Sequence, residues 1–85
     1  MEVLDMENKV AIVAIIVENT ESVEGLNKLL HEYSQYLLGR MGIPYHKKNI
    51  NIISIAIDAP QDKINALSEK IGALNGVSVQ VVYSK

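Results

Sequence analysis

Residues 8–17, Asn8-Lys9-Val10-Ala11-Ile12-Val13-Ala14-Ile15-Ile16-Val17, decide the fold. The run is rich in Ile and Val, too short for a typical helix, and closed by the polar cluster Glu18-Asn19-Thr20, so it reads as a strand. It does not alternate. Val10, Ile12, Ala14 and Ile16 fall on one face, and Ala11, Val13, Ile15 and Val17 on the other. A strand apolar on both faces belongs in the middle of a sheet, buried on both sides. Residues 50–57 repeat the pattern, with Ile53, Ile55 and Ile57 on one face and Ile50, Ile52, Ser54 and Ala56 on the other.

Working outward from these two strands, residues 21–38 read as a helix. Asn19 or Thr20 caps it by accepting from free amides of the first turn, and Glu21 and Glu24 suit the positive end of its dipole. Val23, Leu26, Leu30, Tyr33 and Leu37 form its apolar stripe, Gly25 permits close packing, and Gly39 marks its stop. Residues 40–47 contain Pro44, which cannot donate to a ladder, so a strand here lies at an edge. Lys48-Asn49 is the hairpin tip. Pro60 opens a second helix at a favoured first position, running to Leu74 with Ile64, Leu67, Ile71 and Leu74 on one stripe. After Asn75-Gly76, Val77, Val79, Val81 and Tyr83 alternate with Ser78, Gln80, Val82 and Ser84 as a last strand. The order βαββαβ predicts an α+β ferredoxin-like sandwich: a four-stranded antiparallel sheet of order 4-1-3-2 with two helices on one face.

The chain has 85 residues and a net charge of −2. That length makes one domain, residues 8–85, preceded by an acidic tail, residues 1–7. For a chain this size apolar burial contributes about 130 kcal/mol, and ordering the residues costs about the same. A monomer is therefore marginal, and burial between copies would help. With no cysteine, disulfides, thiolate zinc sites and cysteine nucleophiles are excluded. The longest apolar run, Val10 to Val17, falls far short of the ~20 residues that span a bilayer. The first seven residues carry three acids and no base, unlike a signal peptide, so a cytoplasmic protein without membrane contact is expected.

Catalytic and metal patterns are missing from the sequence. His31 and His46 form no HxH, HxxxH or HExxH spacing. No phosphate-cradling glycine motif or nucleophile elbow occurs, the serines have no recognisable base, and the carboxylates are scattered. A non-enzyme without metal or cofactor is expected. Arg40, His46, Lys47 and Lys48 gather at the ends of the second strand, where they would meet an anion or nucleic acid or guard an edge against pairing; the latter is the ordinary use. Two helices cover one sheet face only, so the surplus apolar face of the two middle strands predicts an interface and a homodimer, or a tetramer built from dimers.

Gly39-Arg40-Met41-Gly42-Ile43-Pro44-Tyr45, then Ile50 to Asp58, then Ile64-Asn65-Ala66-Leu67-Ser68-Glu69-Lys70-Ile71-Gly72, with Leu29-Leu30-His31-Glu32-Tyr33 and Gly76-Val77, carry a family resemblance. The chain resembles, from Lys9 to Lys85, the small regulators of iron-only hydrogenase systems found in anaerobic bacteria. That family is similar in fold to ACT domains and to the C-terminal domain of the nickel-responsive repressor. The resemblance implies a non-enzymatic regulator of hydrogenase expression or maturation, with transcription regulation as the inherited role, acting through a small-molecule effector or a protein partner. It places an effector near Asn19, Thr20, Arg40 and Gly42. The alternatives are a purely structural oligomerisation module and direct DNA binding through the basic hairpin ends. No basic ribbon-helix-helix arm precedes the domain, so DNA contact through this domain alone is not expected.

Overall fold

In a computed structural model, residues 8–85 are described; the proposed acidic tail, residues 1–7, lies outside them. Strand β1, Asn8–Val17, pairs antiparallel with β3, Ile50–Pro60, in an unbroken register from Asn8↔Pro60 to Val17↔Asn51. Strand β4, Val77–Tyr83, flanks β1, and β2, Leu37–Tyr45, flanks β3, giving the order β2-β3-β1-β4. This is the ferredoxin-like α+β arrangement, and the two strands with two apolar faces are its central pair.

Helices α1, Val23–Glu32, and α2, Gln61–Gly72, lie on one face. Ala11, Val13, Ile15 and Val17 of β1 and Ile53, Ile55, Ile57 and Ala59 of β3 form the floor of the core beneath them. Leu26, Leu30 and Tyr33 close it from the first helix and Ile64, Leu67 and Ile71 from the second. Each large aliphatic side chain buried this way contributes about 1.5–3 kcal/mol, and no polar or charged residue is buried among them. Gly25 lets α1 pack close to the turn that follows α2, since a Cβ there would stand 3.2 Å from Leu74 Cδ2.

The first helix is shorter than its apolar stripe predicts. It ends at Glu32, passes through a 3-10 turn at Ser34–Tyr36, and gives way to strand from Leu37. Leu37 pairs with Ile57 and packs against the core from the sheet side. The stripe continues through Leu37 because that residue is apolar in either role, so periodicity alone does not mark the boundary. Gly39 is no helix stop; it follows a bulge between Leu37 and Gly39. Pro60 closes β3 and stands at the N-cap of α2 instead of inside its first turn, and that helix ends at Gly72. The hairpin tip is a 3-10 turn, His46–Lys48, followed by Asn49 at φ 56°, a left-handed conformation that asparagine tolerates.

Two connections lock together at one end of the sheet. Asn19 Oδ1 accepts from the Glu21 amide at 3.0 Å, capping a 3-10 turn at Thr20–Ser22 that leads into α1. The Glu18 amide donates to the Gly76 carbonyl at 2.7 Å, and Ser22 Oγ donates to the Asn75 carbonyl at 2.6 Å. Gly76 sits at φ +72°, and a Cβ there would come within 2.7 Å of Asn19 Cβ. Across the helix layer, Lys70 Nζ donates to Tyr33 Oη at 3.2 Å and lies 5.3 Å from the ring centre. That hydrogen bond, then the charge interaction with Tyr33, raise the Lys70 ammonium above its ordinary 10.5; desolvation opposes them, and Glu32 adds the least.

Two outcomes are expected. Gly76→Ala loses roughly 1–2 kcal/mol from the left-handed backbone alone and more from the Asn19 contact, read as a lower urea midpoint. The Lys70–Tyr33 contribution belongs to the protonated ammonium, so it is present below the unfolded value of 10.5 and lost as pH rises through the raised folded value. The stability difference between the native chain and Tyr33→Phe should therefore stay level through neutral pH and change only in strongly alkaline urea titrations.

Candidate functional site

The sheet face opposite the helices is open. Along β1 exposure alternates sharply: Val13 is fully buried while Ile12, its neighbour, is 50% exposed. The register aligns the outward side chains in rows across four strands. One row is Val82, Ile12, Ala56, Gly39; the next Gln80, Ala14, Ser54, Met41; the third Ser78, Ile16, Ile52, Ile43. None of these residues is charged. Val10 and Tyr45 extend the apolar surface at opposite ends, and Asp58, paired with Val10, bounds it. From strand spacing and rise, the three rows cover about 400 Å² in projection, comparable to the largest apolar patch on a typical monomer. An apolar hollow of about 190 Å³ along Val10, Ile12 and Val82 runs between β1 and β4. On β3, Ile52 is the outward isoleucine, while Ile53 and Ile55 are buried.

A second feature lies at the end of the sheet where the loop after β1 meets the β2–β3 hairpin. Val17, Asn51 and Pro44 share a row there. Just beyond it, Thr20, Pro44, Tyr45, His46, Asn49, Ile50 and Asn51 line a cleft of about 190 Å³. Its polar groups are a hydroxyl, a phenol, an imidazole and two carboxamides, and Lys47 and Lys48 belong to the same hairpin turn.

The four residues marked by the resemblance are distributed over this end of the molecule and the β2 edge. Thr20 lines the cleft. Asn19, adjacent, uses its side-chain oxygen as a cap. Arg40 lies about 13 Å along the strand from Pro44, at ~3.3 Å per residue, and donates from Nη2 to Asn27 Oδ1 on α1 at 2.8 Å. Gly42 lies between them on β2, with nothing nearer than 3.9 Å to a Cβ placed there. Asn49 and Asn51, which the sequence reading does not assign to a ligand, and His46, which it names only within the basic group at the ends of the second strand, join Thr20 because the sheet register brings the hairpin beside the first loop. Among the described residues no three His, Cys, Asp or Glu side chains cluster as a metal site, and no helix is long and apolar enough to cross a membrane.

Comparison with known proteins places this geometry. No curated protein sequence matches the chain. The structure of the uncharacterized protein TM1266 from Thermotoga maritima is similar at TM-score 0.89 and 35% identity, covering 93% of this chain and all of that one. The C-terminal domain of the MgtC protein from Mycobacterium tuberculosis shares the fold at TM-score 0.67 and 14% identity, covering 92% of this chain and 89% of that one. CPII, a nitrogen regulatory PII-like protein from Thiomonas intermedia K12 bound to ADP, AMP and bicarbonate, does so at TM-score 0.58 and 19% identity, covering 91% and 93%. The model of the TM1266-like family, "Iron-only hydrogenase system regulator, putative", matches residues 9–81. With nearly all of its described residues matched in sequence and in fold, the chain belongs to the TM1266-like family of iron-only hydrogenase system regulators.

Proposed function

We propose that this chain is a non-enzymatic regulatory module that works as a homo-oligomer, its copies joined through the open face of the sheet, and that it responds to a small effector or a protein partner. The observation that carries the reading is the uncharged apolar face built from Ile12, Ile16, Met41, Ile43, Ile52 and Val82. Side chains of this kind gain by leaving water, and a surface of this size on a small domain marks an interaction site. Membership in a family of system regulators supports a regulatory, non-catalytic role. ACT-like kinship supports the effector half, with Asn19, Thr20, Arg40 and Gly42 as the contacting residues. The cleft beside Thr20 offers an effector neutral hydrogen-bonding groups next to a basic turn; Arg40, released from Asn27, would add a guanidinium suited to a carboxylate or phosphate only for an effector long enough to reach along β2.

Light scattering tests the interface. The native chain is expected well above 9.4 kDa at high micromolar concentration, and Ile12→Lys should lower that mass while changing the stability of the folded chain by only about 0.5 kcal/mol, as exposed substitutions do. Val13→Lys, one residue along, places an unpaired charge in the core and should cost more than about 4 kcal/mol. A native chain that runs as a single 9.4 kDa species overturns the interface.

Thermal shift with a panel of small anions, starting with the AMP, ADP and bicarbonate that the PII-like protein holds, tests the effector half. A specific anion at a hundred times its Kd stabilises by about 2.7 kcal/mol. That shift should vanish in Thr20→Ala and weaken in Arg40→Ala; an unchanged affinity in Arg40→Ala removes Arg40 from the site.

A further inference from the structure

The order β2-β3-β1-β4 leaves two edges, and they differ in kind. Strand β2 carries Pro44, Gly39, Gly42, Arg40 and a bulge. Proline, charge and bulges are the devices that keep an edge from pairing. Strand β4, Val77-Ser78-Val79-Gln80-Val81-Val82-Tyr83, has no proline, glycine or charged residue. Its ladder to β1 is unbroken from Ala11↔Tyr83 to Val17↔Val77.

Two hydrogen bonds fix where the β4 backbone points. At one end the Glu18 amide donates to the Gly76 carbonyl at 2.7 Å, and at the other the Ser84 amide donates to the Val10 carbonyl at 2.9 Å. In an antiparallel pair, alternate residues bond to the neighbouring strand. Gly76, Ser78, Gln80, Val82 and Ser84 therefore turn their amides and carbonyls toward β1. Val77, Val79, Val81 and Tyr83 turn theirs outward, so the edge presents four donors and four acceptors that no described residue's strand pairs with.

We propose that this edge pairs with the β4 of a second copy of the chain, antiparallel about a two-fold axis at Gln80. The open groups are symmetric about that residue. An antiparallel copy centred there sets Val77 against the second copy's Tyr83 and Val79 against its Val81. Each such pair exchanges two hydrogen bonds, so every open amide and carbonyl of both strands is satisfied. The side chains agree. Val77, Val79, Val81 and Tyr83 face the helix layer yet remain only half-buried, and the second copy would cover them with the same apolar set. Gln80 meets its own counterpart on the outward face, where carboxamides are mutually donor and acceptor. An uncharged strand that matches itself in length, symmetry and chemistry selects a second copy over a foreign segment.

Area points the same way. One open face projects about 400 Å², whereas a standard interface takes about 800 Å² from each partner. Joining two β4 edges makes one eight-stranded sheet whose uncharged outward face, with Gln80 and Ser78 at its seam, doubles that projection. The axis through Gln80 is perpendicular to the sheet, and stacking two such sheets face to face adds an axis within the interface plane. Four copies then close as two sheets with the helices outside. This last step alone rests on the face reading proposed above.

Amide hydrogen exchange on the full chain, followed by NMR beside light scattering, tests the edge. Paired amides at Val79 and Val81 should exchange at least about 100-fold more slowly than in an unfolded peptide, as slowly as those of Gln80 and Val82. Fast exchange at Val79 and Val81 with Gln80 and Val82 still protected overturns the proposal, including the case in which the edge serves a strand from another protein. Val81→Pro removes one outward amide and no β1 bond, and should halve the assembly mass with the fold retained. If proline unfolds the strand, the exchange of Val79 and Val81 in the native chain decides alone. Ile12→Lys separates the two interfaces. A two-chain species with Val79 and Val81 still protected supports the edge, whereas collapse to monomer with both amides exposed overturns it and leaves the face reading standing.

Discussion

Two helices can cover only one face of a four-stranded sheet, and in this chain the two middle strands are apolar on both. Everything else in the molecule answers to that mismatch. The inner rows of β1 and β3 meet α1 and α2 and vanish from solvent. The outer rows, built from the same residue types, stay in water at Ile12, Ile16 and Ile52. The cost of exposing them falls on a domain whose stability is already marginal for its length. Association between copies is the physical remedy available to a chain with no disulfide and no described metal cluster.

The cleft beside Thr20 sits where this sheet ends. The loop after β1 is held by the Asn19 cap and by the Glu18–Gly76 and Ser22–Asn75 bonds, so the start of α1 and the start of β4 are coupled through one small knot of backbone. A ligand beside Thr20 would therefore press on the connection that leads directly into an edge strand. An effector at the cleft, as proposed, would have a short route to the proposed β4 contact.

Much of this was legible from residues alone. The non-alternating runs 10–17 and 50–57 identified the central strands, Pro44 placed β2 at an edge, and the alternation after Gly76 located β4. The end of the first helix was not legible, because Leu37 satisfies a helical stripe and a strand pairing equally well; the ladder to Ile57 decides it. The candidate site was legible only in part. Thr20 lies on the cleft, but His46, Asn49 and Asn51 are remote from it in sequence and arrive through the hairpin register. The partner of Arg40, Asn27, is likewise supplied by helix packing over the sheet.

By itself, the sequence determined the class of fold and the surplus of apolar surface, since both follow from the period and number of hydrophobic residues. The tertiary structure decided which isoleucines are core and which are face, because side chains on a strand alternate and a one-residue choice of register exchanges the two sets. It also decided which backbone groups of β4 are spent on β1 and which remain open. That assignment depends on a hydrogen-bonded partner strand nearly seventy residues away in the chain, and no local pattern of side chains records it.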